Sequence, residues 1–173
     1  MSKRRALFGY CLGTLLTGAS ALALPAYADS LKEQLVGTWK LVSSTRYVGD
    51  TAQPWLFGTN SMGILMYTAD GYMCGNLMNL NRPNFPSPDI RSGTAAEKAA
   101  AFDAFFAYCG RFEVNDAERF VVHKVESSLF PNWTGGLQKR FVELNGNRLT
   151  LRTPPLLAEG KEVVAVLVWE RVE

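Results

Sequence analysis

Gly37-Thr38-Trp39-Lys40-Leu41 opens the strand-rich part of this chain, and Trp169-Glu170-Arg171 closes it. In a closed up-and-down β-barrel the first and last strands are neighbours. A tryptophan on the first strand and an arginine on the last can then stack at one end and close the barrel by a cation–π contact. Gly37, Trp39 and Arg171 are therefore expected to be structural residues. Replacing Trp39 or Arg171 should mainly lower stability.

Between these stretches turn residues recur often, and the pattern is period two or short apolar runs. Trp39–Tyr47 reads as the first strand, with Trp39, Leu41, Ser43, Thr45 and Tyr47 on one face. Gly49-Asp50 and Gln53-Pro54 break it. Met62–Thr68 and Tyr72–Met78 flank Ala69-Asp70-Gly71, a hairpin signal because Asp-Gly readily takes positive φ. Tyr108–Val114 and Arg119–Ser127 flank Asn115-Asp116, and Leu137–Leu144 and Arg148–Arg152 flank Asn145-Gly146-Asn147. Val163–Val172 is the last strand. About eight strands joined mostly by tight turns predict an all-β fold, an eight-stranded antiparallel up-and-down barrel. One segment departs from the meander. Asn79–Ser92 is rich in Asn, Pro and Arg and reads as an extended loop. Thr94-Ala95-Ala96-Glu97 is a capping box, and Ala95–Ala107 reads as an inserted helix with Phe102, Phe105 and Phe106 on one stripe. Those phenylalanines either plug one barrel end or form a lid whose aromatic face also touches a ligand.

The first 28 residues read differently. Lys3-Arg4-Arg5 precede an apolar run from Ala6 to Leu24, and Ala26-Tyr27-Ala28 forms a small-x-small cleavage pattern. This is the signature of a secretory signal peptide, cleaved to leave residues 29–173 as one barrel domain that is periplasmic or secreted. The rival reading is a membrane anchor, but Gly9, Gly13, Thr14, Thr17, Gly18 and Ser20 dilute the run. Arg4-Arg5 is a partial twin-arginine pattern without Ser or Thr just before it, so the export route stays open. Three of the 18 basic residues and none of the 16 acidic ones lie in 1–28, so the remainder carries 15 against 16, a formal charge of −1. No field of one sign is left to recruit nucleic acid or an anionic membrane.

The chain resembles the lipocalin-like domain family of small bacterial and fungal proteins. The residues that carry the resemblance are Leu35–Leu41, Gly63–Met73, Tyr108-Cys109-Gly110, His123–Ser128, Pro131-Asn132, Gly136–Arg140, Leu149-Thr150-Leu151 and Trp169-Glu170-Arg171. The resemblance implies an eight-stranded barrel with an inner cavity for small apolar molecules. It carries over no catalytic set, although a few lipocalin-like proteins act as cyclases or isomerases. Cys109 departs from the family pattern.

His123 is the only histidine and alternates with Val121 and Val125, which points it inward. It is either a buried structural residue or an acid/base group. Gln138 and Arg140 share a face of the next strand. If the register brings Arg140 inward, it needs a partner or an acidic ligand oxygen; if the register slips by one residue, Arg140 is a solvated surface group. Tyr67, Tyr72 and Tyr108 are expected near the mouth, where each could bind a ligand oxygen or simply pack. Trp133, within the formal glycosylation sequon Asn132-Trp133-Thr134, is a rim anchor or a cap on the core. Cys74 and Cys109 fall on adjacent strands and either form a disulfide or remain free thiols. One histidine without clustered carboxylates or thiolates assembles no metal site. The sequence holds no nucleophile elbow, phosphate loop or dinucleotide fingerprint, and no cofactor is expected.

Two functions follow as expectations. The first is an exported barrel binding a small, largely apolar ligand, acidic if Arg140 faces inward. The second is a cofactor-free isomerase, cyclase or lyase in the same cavity, with His123 as base and Arg140 or a tyrosine holding the oxyanion. The candidate ligand-binding residues are Tyr67, Tyr72, Phe102, Phe106, Tyr108, His123, Trp133, Gln138 and Arg140.

Overall fold

The computed structural model describes residues 29–173; the segment 1–28, on which the expectation of a signal peptide rests, lies outside the described residues. The described chain starts with a short helix that sequence periodicity does not reveal, because five residues are too few. This is α1 (Leu31–Leu35). Ser30 caps it in a capping box with Glu33, and the Ser30 hydroxyl and backbone N–H hold the Glu33 carboxyl below its ordinary pKa. Leu31 and Leu35 are fully buried and plug one end of the barrel.

The strands that follow are β1 (Gly37–Val48), β2 (Thr51–Pro54), β3 (Ser61–Tyr67) and β4 (Tyr72–Asn79). Helix α2 (Ala95–Asp103) is inserted before β5 (Phe105–Asn115). The rest are β6 (Phe120–Ser128), β7 (Leu137–Asn145), β8 (Arg148–Arg152), β9 (Leu156–Ala158) and β10 (Lys161–Arg171). All pairings are antiparallel; β1, β3 to β8 and β10 follow one another around the sheet, and β1 pairs with β10 to close an eight-stranded barrel. The short strands β2 and β9 are extra: β2 pairs with the far half of β1 and β9 with the start of β10.

The closing stretches meet as expected. The Arg171 guanidinium lies 4.1 Å from the Trp39 ring centroid and donates to the carbonyls of Val36 (2.7 Å) and Gln34 (2.5 Å) at the end of α1. Trp39 Nε1 donates to the Leu35 carbonyl at 2.9 Å. Gly37 has φ +134°, and a Cβ there would come within 2.5 Å of Arg171 Nη1. The glycine is needed both for its backbone conformation and for the close approach.

Three sequence expectations need correction. The one-face reading of β1 breaks at a bulge between Leu41 and Ser43. Beyond it Ser44 is buried and Tyr47 is exposed, because an extra residue inverts the alternation. The helix ends at Asp103, not Ala107. Phe105 and Phe106 pair with Met78 and Leu77 of β4, so the ladder claims them as strand. Phe102 is left 44 % exposed and α2 buries no residue, so it plugs nothing. Finally, Tyr67 and Tyr72 flank the β3–β4 turn at the α1 end, opposite the expected mouth.

Cys74 and Cys109 sit opposite each other in the β4–β5 ladder and form a disulfide. Met73 and Gly75 point inward, so Cys74 between them projects from the outer face. The bond ties together the two ends of the loop that contains α2. No helix of the described residues is long and apolar enough to cross a membrane.

Candidate ligand cavity

The inward faces of β3, β4, β5, β7 and β10 leave a cavity of about 100 Å³ in the half of the barrel away from α1. Leu65 and Trp169 line its deep side. Phe106, Tyr108 and Trp133 form an aromatic wall, with Trp133 edge-on to Phe106 (5.0 Å) and to Tyr108 (5.4 Å). The space exists because Gly75 occupies an inward position of β4 where neighbouring inward positions carry Met73 and Leu77. A Cβ on Gly75 would make only ordinary contacts, the nearest at 3.4 Å from Leu65 Cδ1. Leu56 lies over the cavity from the β2–β3 connection, where Leu56 (φ 37°) and Phe57 (φ 69°) both adopt left-handed backbone. Such strain in non-glycine residues persists only where surrounding contacts hold it.

The polar side of the cavity is Arg140, which is only 8 % exposed. Its guanidinium donates to the Lys139 carbonyl at 2.8 Å and reaches Gln138 Oε1 at 3.4 Å. It lies 5.8 Å from the Trp133 ring centroid. Among the described residues no carboxylate forms an ion pair with it.

Behind Arg140 and Tyr108 lies a buried hydrogen-bonded chain. Tyr67 Oη is 2.8 Å from His123 Nε2, and Tyr108 Oη is 2.8 Å from His123 Nδ1. Burial first, then the Arg140 charge, holds the His123 pKa well below its ordinary value, so the ring is neutral. Burial raises both tyrosines above theirs, with the Arg140 charge partly opposing the shift. A neutral imidazole has one N–H and one lone pair, so one tyrosine donates to it and the other accepts from it. The β5–β6 bulge at Cys109/Gly110 lies next to Tyr108. A Cβ on Gly110 would sit 2.0 Å from the Lys124 carbonyl oxygen, so the close approach of β6 at this point requires glycine.

The lipocalin-like domain family model matches residues 36–172, almost the whole described chain. The chain belongs to the lipocalin-like domain family. It is also 36 % identical over 107 residues to the 4'-hydroxy-3'-methoxypropiophenone carrier protein of Aspergillus oryzae. That match covers 58 % of this chain and 96 % of the fungal protein.

In this lipocalin-like barrel the sequence-derived candidates separate into groups. Phe106, Tyr108, Trp133 and Arg140 line the cavity together. His123, Tyr67 and Gln138 lie outside its lining: the first two stand behind Tyr108, and Gln138 holds Arg140. The expectation that Tyr72 and Phe102 contact ligand is corrected. Tyr72 belongs to the outward set of β4, where Arg111 Nη2 donates to its hydroxyl at 2.5 Å. Phe102 faces outward from α2. Sequence reading missed Gly75, Thr153 and Trp169 as cavity residues. A lone glycine between the apolar inward residues Met73 and Leu77 is the signal that could have found the cavity. Trp169 was legible as inward but was absorbed into the closing stretch.

Proposed function

We propose that this protein is a carrier for a small, largely apolar molecule held in the barrel interior, exported to an oxidising compartment as residues 29–173. The cavity opened by Gly75 carries this reading. It is walled by aromatic and aliphatic side chains and holds one cationic group, the composition expected of a binding site. The fungal relative is named as the carrier of a small aromatic ketone, a molecule of matching character. An outer-face disulfide suits a compartment without thiol reductants. Ligand contacts are assigned to Phe106, Tyr108, Trp133 and Arg140.

Carriage has more support than acid/base catalysis. Both nitrogens of His123 are engaged by tyrosine hydroxyls, and the ring does not line the cavity. A base needs a free lone pair within reach of the substrate.

The test has two arms. Native mass spectrometry of the purified protein should reveal a co-purifying small molecule. Titration with 4'-hydroxy-3'-methoxypropiophenone should quench fluorescence from Trp133 and Trp169. Gly75→Leu fills the cavity and should abolish binding while the chain stays folded. Undiminished binding in that variant would refute the interior site.

A further inference from the structure

We propose that the cavity selects a planar aromatic ligand whose polar groups are acceptors only, with an ionised oxygen held by Arg140 and Tyr108 and a second acceptor on Trp169 Nε1. This rests on the carrier reading and narrows it to a chemical class.

The hydrogens carried by the side chains of the lining set the class of ligand. Trp169 is 2 % exposed, lines the cavity, and its indole N–H has no hydrogen-bond partner. A buried donor left unpaired costs stability, so a ligand acceptor is its natural complement. Thr153 Oγ1 accepts from the Ala165 backbone N–H at 2.9 Å, which leaves the hydroxyl hydrogen free to be donated. Arg140 is a buried cation without a carboxylate among the described residues, and its five N–H groups are only partly used by Lys139 and Gln138.

Tyr108 completes the set, and the histidine decides its direction. Tyr67 is 2 % exposed and its hydroxyl has His123 Nε2 as its one hydrogen-bond partner. If that hydroxyl accepted from Nε2–H, its own hydrogen would be buried without an acceptor. Tyr67 therefore donates to Nε2, and the ring proton sits on Nδ1. Nδ1–H donates to Tyr108 Oη, so the Tyr108 hydrogen is released toward the cavity. His123 is thus a positioning residue: it orients the donor that touches ligand and touches none itself. Gln138 Oε1 is directed at Arg140. The cavity lining holds no carboxylate or amide side chain, whereas Arg140, Tyr108, Thr153 and the indoles of Trp55, Trp133 and Trp169 all carry donor hydrogens.

Such a lining favours a ligand oxyanion and offers a ligand N–H or O–H no side-chain acceptor beyond hydroxyl oxygens that already accept a hydrogen bond. The aromatic wall of Phe106, Tyr108 and Trp133 fits an aryl ring.

The experiment is calorimetric titration of the intact protein with 4-hydroxyacetophenone, 4-aminoacetophenone, acetophenone and ethylbenzene, at pH values below and above ionisation of the phenol. Affinity for 4-hydroxyacetophenone should rise about tenfold or more on ionisation, as a charge-assisted hydrogen bond replaces a neutral one. Acetophenone should show no such rise. The amino compound, with two donors at the same position, should bind about tenfold more weakly than the phenolate. Arg140→Met should erase the rise for 4-hydroxyacetophenone. Trp169→Phe should narrow the preference for acetophenone over ethylbenzene. The first comparison uses the unaltered protein, so it stands even if a variant fails to fold. Equal affinity for the amino compound and the phenolate, or a pH rise that survives Arg140→Met, overturns the proposal. If acetophenone and ethylbenzene bind without any preference, the donor rule falls and the carrier reading stands. If no compound binds, both fall.

Discussion

Among the described residues three arginines lie over tryptophan rings, and two of those pairs, Arg171–Trp39 and Arg140–Trp133, teach opposite lessons. At the α1 end, Arg171 lies 4.1 Å from the Trp39 centroid and donates to two carbonyls at 2.7 and 2.5 Å. At the cavity end, Arg140 lies 5.8 Å from the Trp133 centroid, with one short bond to Lys139 and two at 3.4 Å to Gln138. The first guanidinium closes the sheet and satisfies the end of a helix at once. The second has hydrogens to spare beside a void. The same residue pair is structural where its donors are consumed and suited to a ligand where they are not.

The strongest way to break this comparison is at the closed end. Trp39→Ala should cost about 3–5 kcal/mol in urea unfolding, the range for a fully buried large aromatic. A smaller loss would mean that closure rests elsewhere. The disulfide is next. Reduction, or Cys74→Ser with Cys109→Ser, should lower stability by about 2–4 kcal/mol, because the bond closes a loop across a sequence separation of 35 residues. Protection of the segment containing α2 in hydrogen exchange should fall with it, while the Trp39–Arg171 end should not change.

The pH dependence probes the ground between the two ends. His123 has a lowered pKa in the fold, so as pH falls the unfolded chain protonates first. Its contribution is fully present above the unfolded value of about 6.5 and is lost below it, at up to about 1.4 kcal/mol per pH unit. The groups facing the ring are Tyr67, Tyr108 and, more distantly, Arg140, and burial keeps both tyrosines neutral through that window. His123→Gln should flatten the slope below pH 6.5 in denaturation curves recorded across pH; an unchanged slope would place its origin in surface carboxylates.

The smallest stability effect separates the arginines most cleanly. Arg171→Met should destabilise by about 1–3 kcal/mol, since it strands the Val36 and Gln34 carbonyls. Arg140→Met should leave stability unchanged or raise it by up to about 1 kcal/mol, because it removes a buried charge that lacks a counter-ion. The two melting curves, measured side by side, decide whether the contrast is real.

The legible parts of this molecule are local. Strand alternation placed His123 inward but left Arg140 between an inward and a surface position, which the β6–β7 register decides; the turns at Asp70-Gly71 and Asn145-Gly146 marked their hairpins. What escaped reading depends on partners distant in sequence. The bulge after Leu41 inverts a face only because β10 pairs past it. Phe105 and Phe106 have helical spacing with Phe102, yet the β4 ladder claims them. Tyr72 and Tyr108 look alike in the chain, but one stacks on Arg111 outside and the other meets His123 inside.

The barrel is written locally, since periodicity and turn chemistry act within a few residues and the closing stretches carry their own complementary groups. Alternation also turned the imidazole inward, while the position of Arg140 waited on the register of β7 against β6. Packing between distant strands leaves Arg140 without a carboxylate, engages His123 on both sides, and opens at Gly75 a void lined by donors. Those properties are sums over side chains from six strands and three connections, and no short-range pattern encodes which polar atom will be left without a partner.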